Sequence, residues 1–304
     1  MEKVIAVIGP TGVGKTAVGV ELAKWLQSEI ISGDSIQVYR GLDIGSAKVT
    51  EEEMQGIPHH LIDILPIDAK YSVYDFQQQG RKAMKSISEQ GKIPLVVGGT
   101  GLYIKSLLYD YEFESEEGPD TSKYANYTNE ELYAMLAKVD PASLEKIHMN
   151  NRKRVIRALV IHDTHGVSKS EWEAKQEHEM LYDAYIIGLT CERERVYDRI
   201  NRRVDKMMEA GLVEEVTNLQ QYPDIFSYQG MQGIGYREFQ AYFHGTSTLE
   251  EVSEEIKKHS RQFAKRQYTW FHNQMPVHWY DVTKENFLED IKKDIQKWKE
   301  SEGE

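Results

Sequence analysis

Eight residues near the N-terminus, Gly9-Pro10-Thr11-Gly12-Val13-Gly14-Lys15-Thr16, follow the pattern G-x-x-x-x-G-K-[ST]. Glycines in such a turn let the backbone curl so that several amide N–H groups point inward at a phosphate. Lys15 adds a full positive charge, and the Thr16 hydroxyl can hold Mg2+. A helix starting here would aim the positive end of its dipole at the same anion. The pattern arises by chance in only about 1% of chains of this length. Residues 9–16 are therefore expected to bind a phosphate-bearing ligand, either a nucleotide such as ATP or a diphosphate.

The motif identifies phosphates, not a reaction. A phosphotransferase with this loop usually has an acid ending another strand, where it helps hold the metal. The apolar run Ile93-Pro94-Leu95-Val96-Val97 ends instead in Gly98-Gly99-Thr100-Gly101. Asp34 or Asp63 would have to substitute. Asp34, after the run Glu29-Ile30-Ile31-Ser32-Gly33, could also act as a general base, an effect worth roughly 10²–10⁴-fold. The plainer alternative is an Asx-turn or helix cap without chemistry. Thr100 carries the same ambiguity, capping the helix from Leu102 or contacting substrate.

These residues need a scaffold. Val4–Ile8, Glu29–Ser32 and Ile93–Val97 read as short buried strands, each ending in glycine or polar residues. Helical patterns run from Lys15 to about Leu26 and from Tyr74 to Glu89. Alternating strands and helices predict an α/β fold: a P-loop NTPase-like parallel sheet flanked by helices, with ligands at the carboxyl ends of the strands. The pattern changes after Tyr111. Glu112 to Asp120 reads as an acidic linker. A capping box at Thr128-Asn129-Glu130-Glu131, a helix opened by Asp140-Pro141 and another over Asn151–Ile161 follow. Ala184–Leu189 resembles a returning strand, and Arg193–Phe271 looks mostly helical. The expected organisation is a first core segment over 1–112, a small all-helical insertion domain over 113–181, and a second, mostly helical core segment over 182–304 with a frayed tail from Glu300.

Composition narrows the classes. No apolar run is long enough to span a membrane, and the chain opens directly on a strand, so no signal peptide and no membrane partner are expected. Cys191 is the single cysteine, which excludes an internal disulfide and a cysteine-based zinc site. A cytoplasmic monomer is the expectation. The net charge of -12 argues against nucleic acid on average, but the position of the basic residues decides. On a helix spanning Val252 to Phe271, Lys257, Lys258, Arg261 and Lys265 fall on one side, and Val252, Ile256, His259, Phe263 and Trp270 on the other. No acid occurs from Lys257 to Tyr268. Lys153, Arg154 and Arg157 share a second face, opposite Val155 and Leu159. Both stripes are either solvated faces or contacts to an RNA backbone.

The same residues carry a resemblance. The P-loop, then Ser32-Gly33-Asp34-Ser35-Ile36-Gln37-Val38-Tyr39-Arg40-Gly41-Leu42-Asp43-Ile44-Gly45-Ser46-Ala47-Lys48, resembles the bacterial tRNA dimethylallyltransferase (isopentenyl transferase) family. So do Pro58–Asp63, Tyr71–Phe76, Val97–Tyr103, Arg154–Leu159, Gly233–Tyr236 and Arg261–Gln267, nearly the whole chain. The resemblance implies transfer of a dimethylallyl group from dimethylallyl diphosphate to N6 of the adenosine 3′ of a tRNA anticodon. It implies Asp34 as general base on N6, with Asp34, Ser35, Ile36 and Gln37 on the RNA and Thr11 to Thr16 on the diphosphate. Thr100 and Lys123 would lie near the RNA, and Lys153 to Arg157 would contact it. Val160 departs from the family's usual Glu, which is expected to touch only a surface pairing, and a single cysteine leaves no counterpart to the zinc finger of eukaryotic relatives. Two other readings stand beside this one: a small-molecule or nucleoside kinase, and a nucleotide-switched RNA-binding module without catalysis.

Overall fold

The computed structural model describes residues 1–111, 113, 121–175 and 178–301, so the expected linker lies almost wholly outside the described residues. The chain divides into two compact units, Met1–Tyr111 with Met180–Glu304, and Glu112–Glu179. In chain order the first unit begins with β1 (Lys3–Ile8), α1 (Lys15–Leu26), β2 (Ile30–Gly33), α2 (Glu51–Met54), β3 (His59–His60), α3 (Val73–Ser88), β4 (Leu95–Gly98) and α4 (Gly101–Leu108). The second unit holds α5 (Asn129–Val139), α6 (Arg152–His165) and α7 (Lys169–Lys175). The first unit resumes with β5 (Asp183–Thr190), α8 (Arg193–Glu209), α9 (Leu212–Leu219), α10 (Phe239–Phe243), α11 (Leu249–Gln274), β6 (His278–Asp281) and α12 (Phe287–Glu300).

The six strands form one sheet in the order β3-β2-β4-β1-β5-β6, and every pairing is parallel. A strand covered on both faces must be apolar at every position. In β1, Val4, Ala6 and Ile8 enter the core formed with α3, α4, α9 and α11, while Ile5 and Val7 enter the opposite one with α1 and α12. The central register aligns Ile8 with both Gly98 and Gly188, and Gly33 with Gly98. Strands β1, β2 and β4 therefore end level. The segments after Ile8, Gly33 and Gly98 leave from one rim, and these carry the P-loop, Asp34 and Thr100.

Several local expectations need correction. Strands β3 and β6 are not evident as apolar runs: one has two residues, and the other reads His-Trp-Tyr-Asp. Asp140-Pro141 opens a 3-10 turn over Pro141–Glu145 rather than an α-helix, with the Asp140 carboxylate accepting from Ser143. Helix α12 includes Glu300, and residues 302–304 of the expected frayed tail lie outside the described residues. Val160 is no surface residue. It is buried with Tyr124, Leu132, Leu136, Val155, Ala158 and Leu159 in the core of the second unit, so its apolar side chain suits its place. In that unit the Thr128 capping box opens α5 and Asn151 caps α6, leaving Lys153, Arg154 and Arg157 exposed. Lys123 is ion-paired with Asp163 and sits over the Tyr124 ring.

Candidate active site

The P-loop sequence folds as its residue types demand. Gly9, Gly12 and Gly14 have positive φ, and a Cβ on Gly9 would fall 2.6 Å from the Leu189 carbonyl oxygen. Helix α1 starts at Lys15 with no acid in its first turn, so its positive end is not neutralised from within. The Lys15 ammonium donates to the Gly9 and Pro10 carbonyls at 3.0 and 2.9 Å. Burial, then the neighbouring charge of Arg203, pulls the Lys15 pKa from its usual value down to about 7, against an opposing pull from Asp34. A dianion in the loop would reverse that depression.

A second element closes over the loop. Gln267 of α11 is buried; its Oε1 accepts from the Thr11 amide at 2.8 Å and its Nε2 donates to the Gly99 carbonyl at 2.9 Å. It thereby ties the P-loop to the end of β4. A Cβ on Gly99 would lie 2.3 Å from Gln267 Nε2, so this approach requires glycine. Helix α8 supplies the charge. Arg203 donates to the Thr11 hydroxyl and Arg199 to the Val13 carbonyl, each at 3.3 Å.

These groups surround a cavity of about 780 Å³ that holds Lys15, Thr16, Arg199, Arg202, Arg203 and Lys206 together with Asp34. Its wall carries six basic side chains against three acidic ones, in a chain of net charge -12. It is built for an anion. A second cavity of about 490 Å³ shares Thr11, Asp34, Ser46, Arg203, Met207 and Phe263 with the first. Its other walls include Ile36, Tyr103, Ile200, Val204, Ile234 and Ile256, with Ser35 and Thr100 at the same site. Asp34 thus stands where the two cavities meet, the second of which mixes these apolar walls with Arg203, Arg237, Arg266, Gln229 and Gln232.

Asp34 does form the Asx-turn that the plainer reading anticipates. Its Oδ1 accepts from the Ile36 amide at 2.8 Å and the Gln37 amide at 3.3 Å. Both donors fall on one oxygen, so the turn fixes the carboxylate through Oδ1, and Asp34 lines both cavities. Thr100 occupies the N-cap position of α4 without a capping hydrogen bond from its side chain, and it lines the second cavity. Asp63 is withdrawn from the site, being ion-paired with Lys48, whose ammonium also meets Asp43 at 2.6 Å.

The stripe expected on α11 needs revision. Lys257 is only 15% exposed and is paired with Asp205 at 2.7 Å and Glu254 at 2.9 Å. Arg261 donates to Asn201 at 2.6 Å. The acids absent from Lys257–Tyr268 are supplied by α8 and the preceding turn, so both residues lie in a helix–helix seam. Lys265 stands exposed. Conversely, Arg199, Arg202, Arg203 and Lys206 escaped the sequence reading. Their i, i+3, i+4, i+7 spacing marks one helical face, but Asp198 just before them and Asp205 among them make the segment look like an ordinary solvated helix.

Comparison with known proteins agrees with this geometry. The IPP transferase family profile matches residues 37–274. The tRNA dimethylallyltransferase of Anoxybacillus flavithermus is 49% identical over 290 residues, 95% of this chain and 93% of that protein. The enzyme of the same name from Enterococcus faecalis is 48% identical over 314 residues, covering 99% and 100%. Among solved structures, the tRNA delta(2)-isopentenylpyrophosphate transferase of Staphylococcus epidermidis superposes with TM-score 0.73 at 44% identity over 98% of this chain and 99% of its own. A eukaryotic dimethylallyltransferase acting on tRNA gives TM-score 0.83 at 29% identity over 96% and 78%. Matched over most of its length by the family profile and at nearly half identity by these enzymes, the chain belongs to the IPP transferase family.

Proposed function

We propose that this protein transfers a dimethylallyl group from dimethylallyl diphosphate to N6 of the adenosine on the 3′ side of a tRNA anticodon. The placement of Asp34 where the basic P-loop cavity meets the second cavity carries this reading. The diphosphate belongs in residues 9–16, against Lys15, Arg199 and Arg203. Met207 and Phe263, which line both cavities, wall the five-carbon group. The adenine, extruded from its stack, enters by the second cavity past Ser35, Ile36 and Thr100, with Gln37 beside it in the P-loop cavity. The exocyclic amine is a poor nucleophile because its lone pair is delocalised into the ring. As its C–N bond forms and the allylic C–O bond breaks, Asp34 takes the amine proton, and the P-loop amides, Lys15 and the α8 arginines hold the departing negative charge.

Thr16 is exposed at the start of α1 in the same cavity as Asp34. Its hydroxyl could hold an ion together with oxygens of the bound diphosphate, a mode that suits Mg2+. When bound, such an ion supplies further neutralisation of the diphosphate. We further propose that Glu112–Glu179 is an insertion domain that contacts the anticodon arm through Lys153, Arg154 and Arg157, with Lys123 nearby and Lys265 on the core, and that the protein works as a cytoplasmic monomer.

Mass spectrometry of tRNA nucleosides after incubation with the protein, Mg2+ and the allyl diphosphate tests the reading. A prenylated adenosine is expected. Phosphate transfer from ATP to a small acceptor, with tRNA unchanged, would replace it with a kinase.

A further inference from the structure

The loop over Asp43–Ser46 is held by an internal anion. Glu215 on α9 directs its carboxylate at three successive backbone amides: Oε2 accepts from Asp43 at 3.1 Å and Ile44 at 2.8 Å, and Oε1 accepts from Gly45 at 3.2 Å. The Tyr236 hydroxyl donates to Glu215 Oε1 at 2.7 Å and accepts the Ser46 amide at 3.1 Å. One carboxylate and one phenol thus take up four consecutive N–H groups. Such a concave run of amides is itself an anion site. The fit is close: Tyr236 is fully buried, and a Cβ on Gly45 would fall 2.5 Å from its ring.

The loop is also part of the site. Gly45 and Ser46 line the second cavity beside Asp34, and Asp43, Ile44 and Ser46 border the P-loop cavity. The Ser46 and Ala47 carbonyls accept from Gln37 Nε2 at 3.4 and 3.3 Å, and the Gln37 amide donates to Asp34 Oδ1. A series of hydrogen bonds therefore runs from Glu215 through the loop and Gln37 to the aspartate. The basic groups proposed to hold the diphosphate come from the P-loop and α8 and make no hydrogen bond to Glu215 or Tyr236.

We propose that Glu215 and Tyr236 are positioning residues, which hold the 43–46 loop and, through Gln37, the aim of Asp34 at the acceptor; this rests on the transferase reading above. The variants Glu215→Ala, Glu215→Gln and Tyr236→Phe are to be assayed for kcat with saturating tRNA, for inorganic diphosphate affinity, and with added formate. In Glu215→Ala, kcat falls about 100-fold, the scale of a misplacement near 1 Å, while diphosphate affinity is unchanged. Formate, which fits the vacated amides, restores turnover in Glu215→Ala. Glu215→Gln keeps one oxygen acceptor and loses less, and Tyr236→Phe keeps the ring and loses the two hydroxyl bonds. Should Glu215→Ala fail to fold, the other two variants carry the same comparison of kcat with diphosphate affinity. Wild-type kcat in these variants, a loss of diphosphate affinity in step with kcat, or a folded Glu215→Ala that ignores formate overturns the proposal. Absence of prenylated tRNA with the wild-type protein would instead remove the transferase reading.

Discussion

In the proposed reaction Asp34 combines two jobs that are often treated as exclusive. Its Oδ1 builds a turn, and that turn would hold the carboxylate in place for proton transfer. The substitution Asp34→Asn separates them, because the amide oxygen can still accept from Ile36 and Gln37. Prenyl transfer is expected to fall about 10²–10⁴-fold, with tRNA affinity and thermal stability retained; full activity in labelled-substrate assays would deny Asp34 its role. Lys15 makes a second expectation possible. With its pKa near 7 in the free protein, it is increasingly neutral as pH rises above that value. A diphosphate favours the charged form, so binding above pH 7 takes up a proton. Affinity should weaken by up to about tenfold per pH unit above 7, and be flat in this respect below it. Calorimetry at pH 8 in buffers of different ionisation heat reads the uptake, which Lys15→Met should abolish.

At the level of elements, α11 does more than carry charge. Gln267→Leu leaves the Thr11 amide and the Gly99 carbonyl without partners in a buried place, a change worth about 2–4 kcal/mol. Urea denaturation should register that loss, together with weaker diphosphate binding. The two ends of the expected basic stripe should behave differently. Lys257→Glu sets a carboxylate against Asp205 and Glu254 and is expected to lower Tm. Lys265→Glu leaves Tm alone and reduces the salt slope of tRNA binding by about one phosphate contact, 0.7–0.9 in log–log terms. Equal effects of the two variants on the slope would restore the stripe as a free surface. The sequence could show the α11 helix, because its period spans seven turns. It could not show which face packs on α8, because Asp205 and Asn201 approach across some sixty residues of chain. The same limit hid the arginines of α8: their function depends on lying opposite a loop almost two hundred residues away.

For the molecule as a whole, the P-loop, Asp34 and Thr100 were legible because each follows a short buried strand, and parallel strands deliver their ends to one rim. The second cavity was not legible, since Phe263, Met207, Tyr103 and Ile36 come from four separate segments that only the fold assembles. In the second unit, reversing Lys153, Arg154 and Arg157 together should flatten the salt dependence of tRNA binding by about 2–3 in log–log slope without altering diphosphate binding; an unchanged slope would mark them as a solvated face. The amides of residues 43–46 add a last consequence. Among the described residues two hollows are shaped for negative charge, and one is plugged by a carboxylate of the chain's own. Inorganic diphosphate should then saturate at one equivalent, and shortening Glu215 to alanine should open a place for formate without adding a second one for diphosphate.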